Sequence, residues 1–301
     1  MKTLIGYAMI GLVKLLGYVP LSVAQAMGRA VGLVLYRRRT RTREVARVNL
    51  SLTYPELTPA ERETLLRDTL LENGMIGGEM GPMWGYSAKK GLGLIRQVHG
   101  EELLDEALAS GKGVMLMAPH LGNWEIINNY MATKAPITIM YRPAKIKIFN
   151  DWMVARREAV GCHLVPTTRD GVMALFRLLK QGQVIGMLPD QEPKPERGVF
   201  APFMGVETLT PKLPHELLQK TGALTLFAFA ERLPAAQGFA IHLVRPGDGI
   251  YDADPRVSAM AMNATIERCV EHCPAQYQWT YKRFKRRPDG ARDPYKEARV
   301  P

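Results

Sequence analysis

The chain has 301 residues, 47% apolar and 23% charged. That balance excludes a disordered or fibrous protein and suits one large α/β domain or two small ones. Forty Lys and Arg face 29 Asp and Glu, a net charge of +11. An excess of this sign favours anionic partners such as nucleic acid, anionic lipid headgroups, phosphorylated substrates or an acidic protein, without choosing among them.

Residues 4–36 are mostly apolar, with only Lys14 and Arg29 charged. About 20 residues span a bilayer, so the stretch reads as an N-terminal hydrophobic membrane helix. Residues 1–36 are then an anchor and residues 37–301 a cytosolic domain. Pro20, Ser22 and Gln25 interrupt the run, and two short interfacial helices joined near Pro20 are the other reading. A cleaved signal peptide is disfavoured, because the segment is long and runs into a basic cluster. That cluster is Arg37, Arg38, Arg39, Arg41, Arg43 and Arg47, opposed by Glu44 alone. Basic residues beside a hydrophobic segment stay on the cytoplasmic side and attract anionic lipid. No nucleic-acid role is assigned to them, since they follow an apolar segment and not a globular domain.

Residues 44–110 read as mostly helical. Thr58, Pro59 and Glu61 form a capping-box start, and the helix is expected to end near Asn73-Gly74. A second short helix covers 100–110. Beyond it, short apolar runs alternate with helical spacing. Strands are expected at 114–118, 137–141, 163–165, 184–188, 224–230 and 239–244. Helices are expected at 149–160, 171–180, 211–220 and 256–272, and a Pro/Gly-rich loop at 191–210. This rhythm implies an α/β fold with a mostly parallel central sheet flanked by helices. Chemistry in such folds gathers at the carboxyl ends of strands.

Cys162, Cys269 and Cys273 form no disulfide framework. A zinc reading of Cys269, His272 and Cys273 lacks a fourth ligand and a recognised spacing, so neither metal nor cofactor is expected.

The sharpest chemical feature is Ala118-Pro-His-Leu-Gly-Asn-Trp-Glu125, at the end of the first predicted buried strand. A carboxylate beside an imidazole fixes its tautomer and favours the imidazolium formed after proton abstraction. His120 and Glu125 are therefore the candidate general-base dyad. Asn123 marks a helix start able to present N–H groups to an anion. Arg142, Arg169, Asp190 and Gln191 follow other strand ends. Lys282 and Arg283 belong to a run in which basic and aromatic residues mix, a pattern that suits a nucleic-acid patch or, in a membrane-bound protein, headgroup phosphates or an acidic protein. Met75, Met80, Met83, Met115, Met117 and Met140 fall near these strands and the preceding helices and could line an apolar tunnel or simply fill the core.

The His-Leu-Gly-Asn-Trp-Glu segment resembles the His-x4-acid box of the glycerolipid acyltransferase superfamily. In its Glu form it resembles the lipid A late acyltransferases, the lauroyl/myristoyl transferase family. Tyr141-Arg-Pro143, Arg169-Asp-Gly171, Leu188-Pro-Asp-Gln191, Gly198-Val-Phe-Ala-Pro-Phe-Met-Gly205 and Gln276-Tyr-Gln-Trp-Thr-Tyr-Lys-Arg-Phe284 fit the same family in order. The resemblance implies an inner-membrane enzyme that moves an acyl chain from the phosphopantetheine arm of acyl carrier protein to a hydroxyl of a lipid A precursor. His120 would be the base, Glu125 would orient it, and no acyl-enzyme would form. Arg142 and Arg169 would bind phosphate or steady the oxyanion, and Asn123, Asp190, Gln191, Lys282 and Arg283 would help bind substrate. Other readings are a different lysolipid, amino-acid lipid or glycolipid acceptor, a thioesterase-like hydrolase, and a non-enzymatic lipid-binding protein.

Overall fold

The computed structural model describes residues 2–298. The chain opens with helices α1 (Lys2–Leu16), α2 (Leu21–Arg37), α3 (Arg41–Thr53), α4 (Pro59–Gly85) and α5 (Ala88–Leu92). Strand β1 (Ile95–His99) and helix α6 (Glu101–Ala109) follow. The parallel units are β2 (Val114–Met117), α7 (Trp124–Lys134), β3 (Ile137–Tyr141), α8 (Lys147–Glu158), β4 (Cys162–Pro166), α9 (Arg169–Lys180) and β5 (Val184–Met187). A hairpin of β6 (Gly198–Phe203) and β7 (Val206–Pro211) precedes α10 (Leu213–Thr221), β8 (Leu224–Arg232), β9 (Phe239–Val244), α11 (Pro255–His272) and α12 (Pro294–Glu297).

The main sheet has seven strands in the order β1-β9-β8-β2-β5-β3-β4. All neighbours are parallel except β8 and β9. The expected α/β architecture is present. Strands β2 and β5 are buried along their whole length, as continuous apolar runs between two helical layers must be.

The N-terminal membrane helix is corrected. Among the described residues no helix is long and apolar enough to cross a membrane. Pro20 divides the apolar stretch into α1, of 15 residues, and α2, of 17. At 1.5 Å per residue each covers roughly 22–26 Å, short of a hydrocarbon core of about 30 Å. One face of α2 is committed to protein: Leu21, Ala24, Gln25, Gly28 and Gly32 are buried.

Helix α4 starts as expected, with Thr58 and Glu61 exchanging both capping-box bonds. It does not stop at Asn73-Gly74 but continues to Gly85. A Cβ on Gly74 would meet the backbone of Gly28 and Gly32, and one on Gly78 the backbone of Ala24. These glycines allow close helix contact and are not stop signals. Two further expectations fail. Residues 95–99 form edge strand β1 instead of helix; its half-buried residues, Ile95 and Val98, fall three apart and so mimic helical spacing. The 191–210 loop contains most of an antiparallel hairpin, with Pro202 carried on a two-stranded ribbon outside the main sheet.

Candidate active site

The His-Leu-Gly turn leaves β2 at the point where its two neighbours, β5 and β8, diverge in sequence. This is the crevice where ligands of open α/β sheets bind. The turn is held on two sides. Gly122 and Asn123 bond through their N–H groups to Gln276 O (3.1 Å) and Ala230 O (2.9 Å), and Gln278 N–H donates to His120 O (3.0 Å). Gly122 has φ +58°, and a Cβ there would strike the Ala230 carbonyl. Only glycine fits this approach.

His120 is gripped by Asp190, which follows β5. The His120 backbone N–H donates to Asp190 Oδ2 at 2.9 Å, and Nδ1 lies 2.7 Å from Oδ1. Burial alone would raise the Asp190 carboxyl, but the His120 charge and its two hydrogen bonds outweigh that, so the group titrates below its ordinary value. An ionised Asp190 holds the Nδ1–H tautomer and leaves the Nε2 lone pair free. Gln191 Nε2 stands 3.2 Å from that lone pair and 3.2 Å from Gln278 Oε1. Trp124 meets the imidazole edge-on, with centroids 4.9 Å apart.

The expected His120–Glu125 pairing is corrected here. Glu125 lies in the first turn of α7, and its carboxylate is turned toward α8. Both its oxygens pair with the Arg157 guanidinium, Nε at 3.0 Å from Oε2 and Nη2 on Oε1, while Trp84 Nε1–H donates to Oε2 at 3.1 Å. Burial would raise the Glu125 carboxyl, but Arg157 and the Trp84 bond hold it below its ordinary value. The carboxylate that orients His120 is Asp190, expected only as a substrate-binding residue.

Asn123 is also placed differently. It is buried, with Oδ1 accepting Glu125 N–H at 3.1 Å to cap α7 and Nδ2 donating to Glu79 Oε2 at 2.8 Å. Glu79 is fully buried and in turn takes both Arg232 Nε (2.5 Å) and Nη2 (2.7 Å), plus Gln25 Nε2 (2.7 Å). Arg232 Nη1 reaches Glu72 at 2.5 Å. This network ties α2, α4 and β8 to the His120 turn. Arg283 is likewise structural: buried, it donates to Leu209 O (2.7 Å) and to the hydroxyls of Thr208 and Thr210 (3.2 Å each), fastening the hairpin to the C-terminal segment.

A cavity of about 360 Å³ opens beside His120. Its walls include Leu116, Ile127, Ile137, Ile139, Met153 and Met187, with the polar groups of Glu125, Arg157 and Gln191 among its lining. Of the methionines singled out from sequence, Met140 lines it, whereas Met115 and Met117 fill the core. Arg142 borders this cavity and also a neighbouring cleft of about 670 Å³. The cleft gathers Arg41, Arg142, Lys194, Lys282, Lys285 and Arg286 around Glu192, which pairs with Arg286 at 2.8 Å. Partial burial and then the nearby Arg41 charge pull Lys282 below the usual lysine value. Arg169 is exposed at the start of α9 and lines neither space. Arg157, Trp84, Glu79 and Arg232 were missed from sequence: each is far along the chain from its partner, and none lies in a motif.

The sequence model of the bacterial lipid A biosynthesis acyltransferases matches residues 1–286. The chain belongs to this family. It is 25% identical over 287 residues to the lipid A biosynthesis lauroyltransferase of Escherichia coli (strain K12), covering 95% of this chain and 93% of that one. It is 27% identical over 285 residues to the palmitoleoyltransferase of the same organism, covering 93% and 91%. With the myristoyltransferase it shares 26% over 260 residues, covering 85% and 79%. In this acyltransferase His120 lines the apolar cavity, with Asp190 buried behind it, and Arg142 borders both that cavity and the cationic cleft.

Proposed function

We propose that this acyltransferase transfers a fatty acyl chain from acyl carrier protein to a hydroxyl of a phosphorylated lipid A precursor. The observation that carries the reading is the position of His120 Nε2. It sits at the mouth of an apolar cavity with a cluster of cations beside it, and Asp190 fixes its tautomer.

The acyl chain occupies the apolar cavity, with its thioester carbonyl near the imidazole. The acceptor hydroxyl displaces the Gln191 amide from Nε2. His120 takes the hydroxyl proton as the oxygen attacks the thioester carbon, and Asp190 stabilises the imidazolium. The tetrahedral intermediate collapses, the C–S bond breaks and the imidazolium returns its proton to the departing thiolate. One ester replaces one thioester, and no acyl-enzyme forms. Glu125 and Arg157 act as a positioning pair that fixes α7 against α8 beneath the catalytic turn.

The cleft supplies the affinity for anions. Arg presents a planar fork to phosphate, and Lys adds point charge. The same surface suits an acidic carrier. Exposed Leu4, Ile5, Tyr7, Leu12 and Leu15 on α1, with Val23, Met27, Val31 and Val34 on α2, form an apolar face. Exposed Arg37, Arg38 and Arg39 follow directly. This is the pattern of an interfacial element lying on an anionic leaflet, and we place the enzyme on the cytoplasmic face of the inner membrane.

The test is transfer of a radiolabelled acyl group from purified acyl carrier protein to a lipid A precursor, alongside a lysophospholipid and an ornithine lipid precursor. Preferred transfer to the lipid A precursor, and lipid A one acyl chain lighter in a deletion strain, support the reading. Preference for another acceptor with unchanged lipid A overturns it.

A further inference from the structure

We infer that Glu231, His242 and His272 form a binding site for a divalent transition metal of the zinc class, separate from the catalytic cavity. The three come from three elements: β8, β9 and the last residue of α11. The imidazole Nε2 atoms of His242 and His272 each lie 3.0 Å from the same oxygen, Glu231 Oε2. The three donor atoms are all within 4.8 Å of one another. Around a tetrahedral zinc, with bonds of about 2.0–2.1 Å, neighbouring donors stand roughly 3.3 Å apart. The two Glu231–imidazole spacings already lie within a few tenths of an ångström of that, and a rotation of the exposed His272 ring is what remains to close the three on one ion.

The rings are already oriented. His242 is sandwiched between Phe229, at 4.5 Å and 5°, and His99, at 4.7 Å and 23°. Two imidazoles and one carboxylate suit zinc and its neighbours in the transition series, and not magnesium or calcium, which take oxygen donors. His272 is 46% exposed at its side chain, so the ion has an entry path and room for a water ligand.

The position gives such an ion a structural consequence. His272 is followed by the segment whose Gln276 and Gln278 pin the His120 turn. An ion shared by β8, β9 and the end of α11 would fasten that segment to the sheet.

The experiment uses the full chain, stripped with chelator and dialysed against zinc chloride alone, with bound metal measured by mass spectrometry. Wild type and His120→Ala are expected to hold roughly one zinc per chain, and zinc is expected to raise the wild-type Tm by a few degrees. Glu231→Gln and His272→Ala are expected to bind at least about tenfold more weakly and to lose the Tm response. His272 is half exposed, so its removal leaves the core intact and decides the matter even if Glu231→Gln folds poorly. No bound zinc in wild type at about 100 micromolar free metal overturns the inference. So does wild-type affinity in His272→Ala, or loss of binding in His120→Ala.

Discussion

Asp190 holds His120 by two bonds to two different atoms, one oxygen on the backbone N–H at 2.9 Å and the other facing Nδ1 at 2.7 Å. The grip fixes both the place of the residue and the tautomer of its ring. It also ties together the turns that leave adjacent strands β2 and β5, so the dyad sits just beyond the carboxyl ends of both.

Replacing Asp190 with Asn keeps the shape but offers an amide in place of the charge. The imidazolium loses its counter-charge and the ring can bind in the wrong tautomer. Steady-state assays are expected to show kcat lower by about 10²- to 10⁴-fold with KM little changed. A variant within twofold of wild type would mean that Asp190 does not orient the base.

The Glu125–Arg157 pair makes a different prediction. Removing one partner of a buried ion pair leaves an uncompensated charge, at a cost of about 3–5 kcal/mol. Arg157→Met is therefore expected to lower Tm by roughly 10 °C. Arg157→Met combined with Glu125→Gln should recover much of the loss in the same melts. If Glu125→Gln alone abolished catalysis without changing Tm, the carboxylate would act on the chemistry directly.

Acid lability follows from two of the buried carboxylates, Asp190 and Glu125. Asp190 and Glu125 both have folded values below their ordinary ones. Their contribution is fully present above the unfolded carboxylate range, near pH 4, and is lost as pH falls through the folded values. Urea midpoints are expected to be flat from neutrality to about pH 5 and to fall steeply below about pH 4. In Asp190→Asn the fall should be shallower.

The cationic cleft should govern recognition and not chemistry. Lys285→Ala and Lys194→Ala are each expected to raise KM for a phosphorylated acceptor by about tenfold, the scale of one charge-assisted bond. Added salt should raise the wild-type KM likewise. With a dephosphorylated acceptor, variants and wild type should converge.

The sheet was legible in the sequence because Val114–Met117 and Val184–Met187, buried on both faces, are unbroken apolar runs ending at turn signals. His120 was legible because it follows such a run. Features set by contacts distant along the chain were not. Gly74 carries no mark separating a helix end from a close approach to Gly28. Ile95–His99 is an edge strand whose polar residues imitate a helix face. Glu125, five residues from His120, looks like its partner until α8 is seen to bring Arg157 to it. The apolar 4–36 stretch has the length of a span, but Pro20 breaks it and Gln25 is spent on Glu79.

The central claim is that the His120 imidazole removes the acceptor proton. The direct measurement is the single-turnover rate of acyl transfer by His120→Ala, with circular dichroism and Tm confirming that the variant folds. A folded protein slower by about 10²-fold or more is predicted. A folded variant that transfers acyl groups at the wild-type rate would contradict it.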